Sequence, residues 1–126
     1  MHARWLFGIA AAFNFAIAAS VLFLRPWIAP LLQLDPALGT NVATANIAGV
    51  LVAAFGWAYA CIARDPVRYR PAMLPAVLEK LTFAGATIVL FAQRRLADSV
   101  LGFGLVDLTF AVLFTISYLR VGRSGG

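Results

Sequence analysis

Four apolar runs, each about as long as a bilayer is thick, constrain this chain more than any other feature. The first is Trp5 to Leu24, stopped by Arg25-Pro26, and the second is Asn41 to Ala63, closed by Arg64-Asp65-Pro66. The third runs from Pro71 to Ala92 and ends at Gln93-Arg94-Arg95, and the fourth runs from Ala97 to Leu119, closed by Arg120. A spanning helix needs roughly 20 mostly apolar residues, since about 30 Å of hydrocarbon is crossed at a rise of about 1.5 Å per residue. Proline disfavours helix in the residue before it, which sharpens the first stop. The expected fold is all-α: a four-transmembrane-helix bundle, up-down-up-down, with both termini on the same side. Helices over 5–24, 41–63, 71–92 and 97–119 would form one integral membrane domain, followed by a flexible tail at 122–126.

Composition excludes the soluble alternative. Hydrophobic residues make up 63% of the 126 residues and charged residues 12%, against roughly 45–50% and about 25% in soluble domains. A soluble chain this short leaves much of its surface in water, whereas a bilayer solvates apolar surface. The net charge of +5 does not indicate nucleic acid. The arginines lie in short clusters between apolar runs, as in membrane-flanking loops, and no basic face on a soluble fold is available. A single cysteine rules out an intrachain disulfide and any CxxC motif, and Cys61 reads as a small apolar filler near a helix end. His2 is the only histidine. It lies at the terminus, so neither a histidine-based catalytic set nor a histidine-rich metal site is expected. No catalytic residue, metal or cofactor is assigned.

The longest connection, Pro26 to Thr40, holds Trp27, Pro30 and Pro36. It suits a short interfacial helix with Trp27 at headgroup depth. Arg4 and the small-x-small triplet Ala16-Ile17-Ala18 fit a cleavable signal. The apolar run nevertheless continues to Leu24 and exceeds a signal core of roughly 7–15 residues, so an uncleaved anchor is the reading adopted. Orientation follows the arginines. One side carries Arg4, Arg64, Arg68, Arg70, Arg120 and Arg123; the other carries Arg25, Arg94 and Arg95, with Asp35 and Asp98 nearby. The excess on the first side places both termini in the cytoplasm.

Polar residues inside spans are costly and call for explanation. They are Asn14, Asn46, Glu79, Lys80 and Asp107. Counted from the flanking arginines at about 1.5 Å per residue, Asn14 and Lys80 lie roughly 15 Å deep, Asp107 about 20 Å and Asn46 about 27 Å. Residues three or four apart share a helix face. On that spacing Asn14 aligns with Ala11 and Ala18, and Asn46 with Gly49, Ala53, Gly56 and Ala60. Lys80 aligns with Ala84 and Thr87, and Asp107 with Gly104, Ala111 and Thr115. Small residues let membrane helices approach closely, which leaves Phe, Leu and Ile for lipid. The expectation is a buried polar cluster of Asn14, Asn46, Glu79, Lys80 and Asp107, with a Lys80–Asp107 ion pair and Asn14 beside it. Glu79, about 100° around the helix from Lys80, either pairs with Lys80 or faces another helix or the water interface. The cluster either fixes which helices meet or lines a cavity for a proton, ion or lipid-like ligand.

The middle connection, Ala63-Arg64-Asp65-Pro66-Val67-Arg68-Tyr69-Arg70-Pro71, reads as a tight turn. Pro71 can open the third helix, where its missing N–H costs nothing. Arg64, Arg68 and Arg70 serve as a topology anchor that also meets anionic headgroups. This run, the proline-rich first loop and Lys80 in the third helix resemble a group of small bacterial four-helix membrane proteins with no established activity. A more distant similarity is to DoxX-like proteins, which also have four helices. The resemblance implies the architecture and a bacterial inner membrane, and no activity.

Three function classes are compatible with these features. One is an accessory, structural or lipid-binding bundle with membrane lipid, a membrane protein or a second copy as partner. Another is a subunit of a small transporter or channel. Four helices are few for alternating access, and a dimer would supply eight. The third is a membrane enzyme acting on a lipid or quinone, with Asp107, Lys80 or Glu79 as acid or base.

Overall fold

The computed structural model describes residues 2–31 and 40–123. Its elements are α1 (Ala3–Phe23), a short α2 (Arg25–Leu31), α3 (Thr40–Arg64), a 3-10 turn (Arg70–Ala72), α4 (Met73–Ala92) and α5 (Asp98–Arg123). The four long helices each have the length and apolar composition to cross a membrane. They coincide with the four apolar runs to within a few residues. The largest difference is at the C-terminal end, where α5 continues through Gly122 and Arg123. The remainder of the expected tail, and Pro36 of the first connection, lie outside the described residues.

Local chemistry sets the breaks. Leu24 leaves the helical region between α1 and α2, with its N–H still bonded to the Ser20 carbonyl. Pro26 comes next but one, with no N–H to continue the ladder. At the end of α4 the Arg94 N–H bonds the Phe91 carbonyl and the Arg95 N–H bonds the Leu90 carbonyl. With Arg94 at φ 57°, this is the Schellman arrangement that satisfies the last carbonyls of a helix. In the middle turn the Arg68 N–H donates to Asp65 Oδ1 at 3.1 Å, and Pro71 stands in the first positions of the 3-10 turn that leads into α4.

The helices pack as two close antiparallel pairs, α1 with α3 and α4 with α5, joined more loosely α1 to α5 and α3 to α4. That order places α1 and α4 on one diagonal, and their backbones nowhere approach within 8 Å Cα–Cα. The buried positions recur at spacings of three and four: Phe7, Ala11, Asn14 and Ala18 on α1, and Gly104, Asp107, Ala111 and Phe114 on α5. This is the seam of an antiparallel helical bundle. Small residues set the separation within each pair. A Cβ on Gly56 would stand 3.2 Å from the Phe15 ring and 3.3 Å from Asn14 Cβ, and one on Gly104 would overlap Thr87 Oγ1.

The core is concentrated at the end that carries the termini. Leu6, Phe7, Ala10, Ala11, Tyr59, Ile62, Met73, Ala76 and Phe114 form one buried cluster there. Phe7 stacks on Phe114 with centroids 4.3 Å apart, and Tyr59 meets Phe114 edge-on at 5.3 Å. Not every large aromatic is therefore left for lipid: Phe7 and Phe114 are fully buried in the seam. The outward faces are predominantly apolar, with Trp5, Ile47, Trp57, Leu78, Val89 and Val112 all exposed in the isolated chain. Hydrocarbon is the solvent that such faces require, and the chain is an integral membrane protein.

Candidate functional site: a charged cluster beneath a one-sided cavity

Immediately beyond the aromatic core, one group from α1, one from α3, two from α4 and one from α5 converge. Lys80 is at the centre and only 1% exposed. Its Nζ donates to Asn14 Oδ1 at 2.7 Å and to Asp107 Oδ1 at 3.1 Å. Glu79 Oε2 lies 3.6 Å from the same nitrogen. The Tyr59 hydroxyl donates to Glu79 Oε2 at 2.9 Å. Asn14 Nδ2 reaches Glu79 Oε1 at 3.4 Å and the Val52 carbonyl at 3.2 Å. The ammonium also stands 5.4 Å from the ring centroids of Phe13, Tyr59 and Phe110, within range of cation–π attraction. A buried charge persists only when paired and hydrogen-bonded, and Lys80 is both.

The question of which carboxylate pairs with Lys80 has a double answer. Asp107 approaches along the shared α4–α5 seam. Glu79, one residue earlier on α4, turns toward α3 and is held there by Tyr59 and Asn14. Small neighbours admit the cluster: Ala84 and Thr87 succeed Lys80 along its face, and Gly104 and Ala111 flank Asp107, all of them buried. Other polar groups in the spans need no such arrangement. The hydroxyls of Ser20, Thr82, Thr87, Thr109 and Thr115 donate to carbonyls of their own helices, which satisfies them locally.

Asn46 does not belong to the cluster; it is exposed on α3. Three residues of helix turn through about 300°, so Asn46 stands about 60° from Gly49 and off the seam. Thr115 is exposed for a similar reason. The buried face of α5 keeps the shorter repeat through Phe114, and a residue four beyond Ala111 drifts outside it.

The middle-turn arginines divide. Arg64 and Arg68 are exposed, as headgroup anchors require. Arg70 is half-buried: its guanidinium lies over the Tyr118 ring at 3.8 Å, and its Nε donates to the Tyr118 carbonyl at 3.0 Å. It also covers Gly122, where a Cβ would overlap it. Arg70 thus ties the turn to the C-terminal end of α5, a favourable place for a cation.

On the side of the cluster away from the termini lies a cavity of about 220 Å³ that is open rather than enclosed. Its floor is Asn14, Glu79, Lys80 and Asp107. Its walls are apolar and come from all four long helices, among them Phe13, Ile17, Val52, Phe83 and Phe103. Ser20, Arg25 and Ile28 line it farther along α1 and α2. Opposite the cavity, the aromatic core seals the cluster. The sequence raised a cavity at the cluster only as one of two alternatives, and it gave no account of the part played by Tyr59. Tyr59 lies one turn from Gly56 and two from Val52 on the inner face of α3, and that spacing was the available signal. Among the described residues no three His, Cys, Asp or Glu side chains stand close enough to hold a metal ion.

No protein-family model, curated protein or solved structure matches this chain. The geometry of the cluster and its cavity therefore carries the functional argument.

Proposed function

We propose that this protein is a small lipid-binding membrane bundle, one that holds an amphipathic, lipid-like molecule in the cavity with its polar end on the cluster. The observation that carries this reading is the cavity itself, with apolar walls from four helices ending on a hydrogen-bonding, charged floor. That combination of apolar lining and a few convergent polar groups is typical of small-molecule sites. A cluster that served packing alone would have no need of an opening. The arginine distribution and the resemblance to small bacterial four-helix proteins support a bacterial inner membrane with both termini cytoplasmic. The cavity then belongs to the outer half of the bilayer.

Native mass spectrometry of the protein gently released from its own membrane tests the reading. The expected result is a stoichiometric lipid-like adduct that is lost in Ala48→Trp, since Ala48 lines the cavity and is none of the four floor residues. A clean apo mass, or an adduct that Ala48→Trp leaves in place, contradicts it. A subunit of a small transporter is the second reading, favoured by ionisable groups at the end of an open cavity. It requires in addition that the bound molecule cross the membrane in reconstituted vesicles.

A further inference from the structure

The floor of the cavity has a definite electrostatic sign. By formal charge, two carboxylates, Glu79 and Asp107, meet one ammonium, Lys80, so the negative excess is confined to the floor, with the Arg25 guanidinium lining the far end of the same cavity. Lys80 donates to Asn14 and Asp107 and has Glu79 Oε2 at 3.6 Å from the same nitrogen, and at 1% exposure its ammonium is engaged within the cluster. What remains is acceptor capacity. Asp107 engages Lys80 through Oδ1, and among the described residues nothing donates to its Oδ2. Asp107 is 95% buried, being 5% exposed, and it lines the cavity. Glu79 lines it too, with 15% of its side chain exposed. Above them stand the rings of Phe13, Phe83 and Phe103, the kind of surface that attracts a weakly hydrated cation.

We infer that the cavity selects ligands with a cationic head: lipophilic ammonium or similar onium compounds, whose charge completes the Glu79–Asp107–Lys80 cluster while the apolar portion lies along Phe83 and Phe103. This rests on the lipid-binding reading and adds the sign of the ligand's charge. Uncharged and anionic amphiphiles leave the excess charge of the floor uncompensated, and in a low-dielectric site that is costly. The charged and polar side chains that face the cluster are Asn14 from α1, Tyr59 from α3, Glu79 and Lys80 from α4 and Asp107 from α5, with Arg25 of α2 at the far end of the cavity.

Tetraphenylphosphonium and tetraphenylborate, nearly equal in size and opposite in charge, provide the test. Each is titrated into the protein in nanodiscs of zwitterionic lipid, with empty nanodiscs subtracted. The expected result is saturable binding of the phosphonium with a preference of about tenfold or more over the borate. Glu79→Gln and Asp107→Asn, which retain the shape of the side chain and an acceptor oxygen, each weaken it about tenfold or more. Ala48→Trp abolishes it. Equal or tighter binding of the borate overturns the inference, as does no binding of either ion or phosphonium binding that both carboxylate variants leave unchanged. The preference between the two ions is read on the unaltered protein, so it holds even if a variant fails to fold. An uncharged or anionic native adduct displaced by Ala48→Trp would leave the lipid-binding reading in place and remove only the charge assignment.

Discussion

Lys80 Nζ lies 2.7 Å from Asn14 Oδ1, and this short bond crosses the diagonal of the bundle, between two helices whose backbones do not otherwise meet. The remaining bonds of the cluster extend the tie to α3 through Tyr59 and to α5 through Asp107. The cluster thus couples all four spans at a single level. In membranes an interhelical hydrogen bond typically contributes about 0.6 kcal/mol, and up to about 2. Removing one partner has the larger effect, because it leaves a buried charge uncompensated.

Lys80→Met is expected to be the most destabilising single change in the cluster, by about 3–5 kcal/mol, because it strands the buried Asp107 and the half-buried Glu79. Asp107→Asn is expected to cost less, since Lys80 retains Glu79 at 3.6 Å. The triple variant Lys80→Met, Glu79→Gln, Asp107→Asn is expected to recover much of the loss by removing every buried charge together. Unfolding in mixed detergent micelles gives the order, and a triple variant no more stable than Lys80→Met alone contradicts charge compensation as the cause.

Gly104→Ala is expected to destabilise by about 1–3 kcal/mol through overpacking, because its Cβ would overlap Thr87 Oγ1. Thr87→Ala removes that hydroxyl and should recover part of the loss in the double variant. Additive effects in a double-mutant cycle would show that α4 and α5 do not meet at this point.

Arg94→Gly is expected to stabilise the protein by about 0.5–1 kcal/mol, because Arg94 occupies the left-handed region at φ 57°, where a side chain is strained and glycine is not. A lower thermal midpoint in detergent would mean that the arginine side chain contributes more than its backbone conformation costs.

Much of the fold was legible in the sequence because a bilayer imposes one length and one polarity on each span. The first three runs ended at arginine or proline and their helices end there too, whereas α5 runs past Arg120 to Arg123. Asn14, Lys80 and Asp107 were legible as one level because depth along a helix is fixed by residue number. Position around the helix was less secure. A drift of a few tens of degrees per turn carried Asn46 and Thr115 off the seam while Gly49 and Phe114 stayed within it. Arg70 looked like its exposed neighbours, since nothing local to the turn reveals that Tyr118 and Gly122 lie beneath it. A cavity was one of two alternatives read from the polar cluster, but its walls and opening were not legible, because no pattern within a single helix records how far apart the two helix pairs stand.

The charged cluster faces the cavity on one side and the aromatic core on the other. Ile17 and Ala10 lie on the same helix about two turns apart; Ile17 lines the cavity and Ala10 is fully buried in the core. In a Cys61→Ser background, the rate at which a small thiol reagent modifies Ile17→Cys and Ala10→Cys in the folded protein distinguishes the two environments. Rapid modification at position 17 that Ala48→Trp suppresses, with position 10 inert, is the expected result. Equal rates at the two positions, whether both fast or both negligible, would contradict a one-sided cavity.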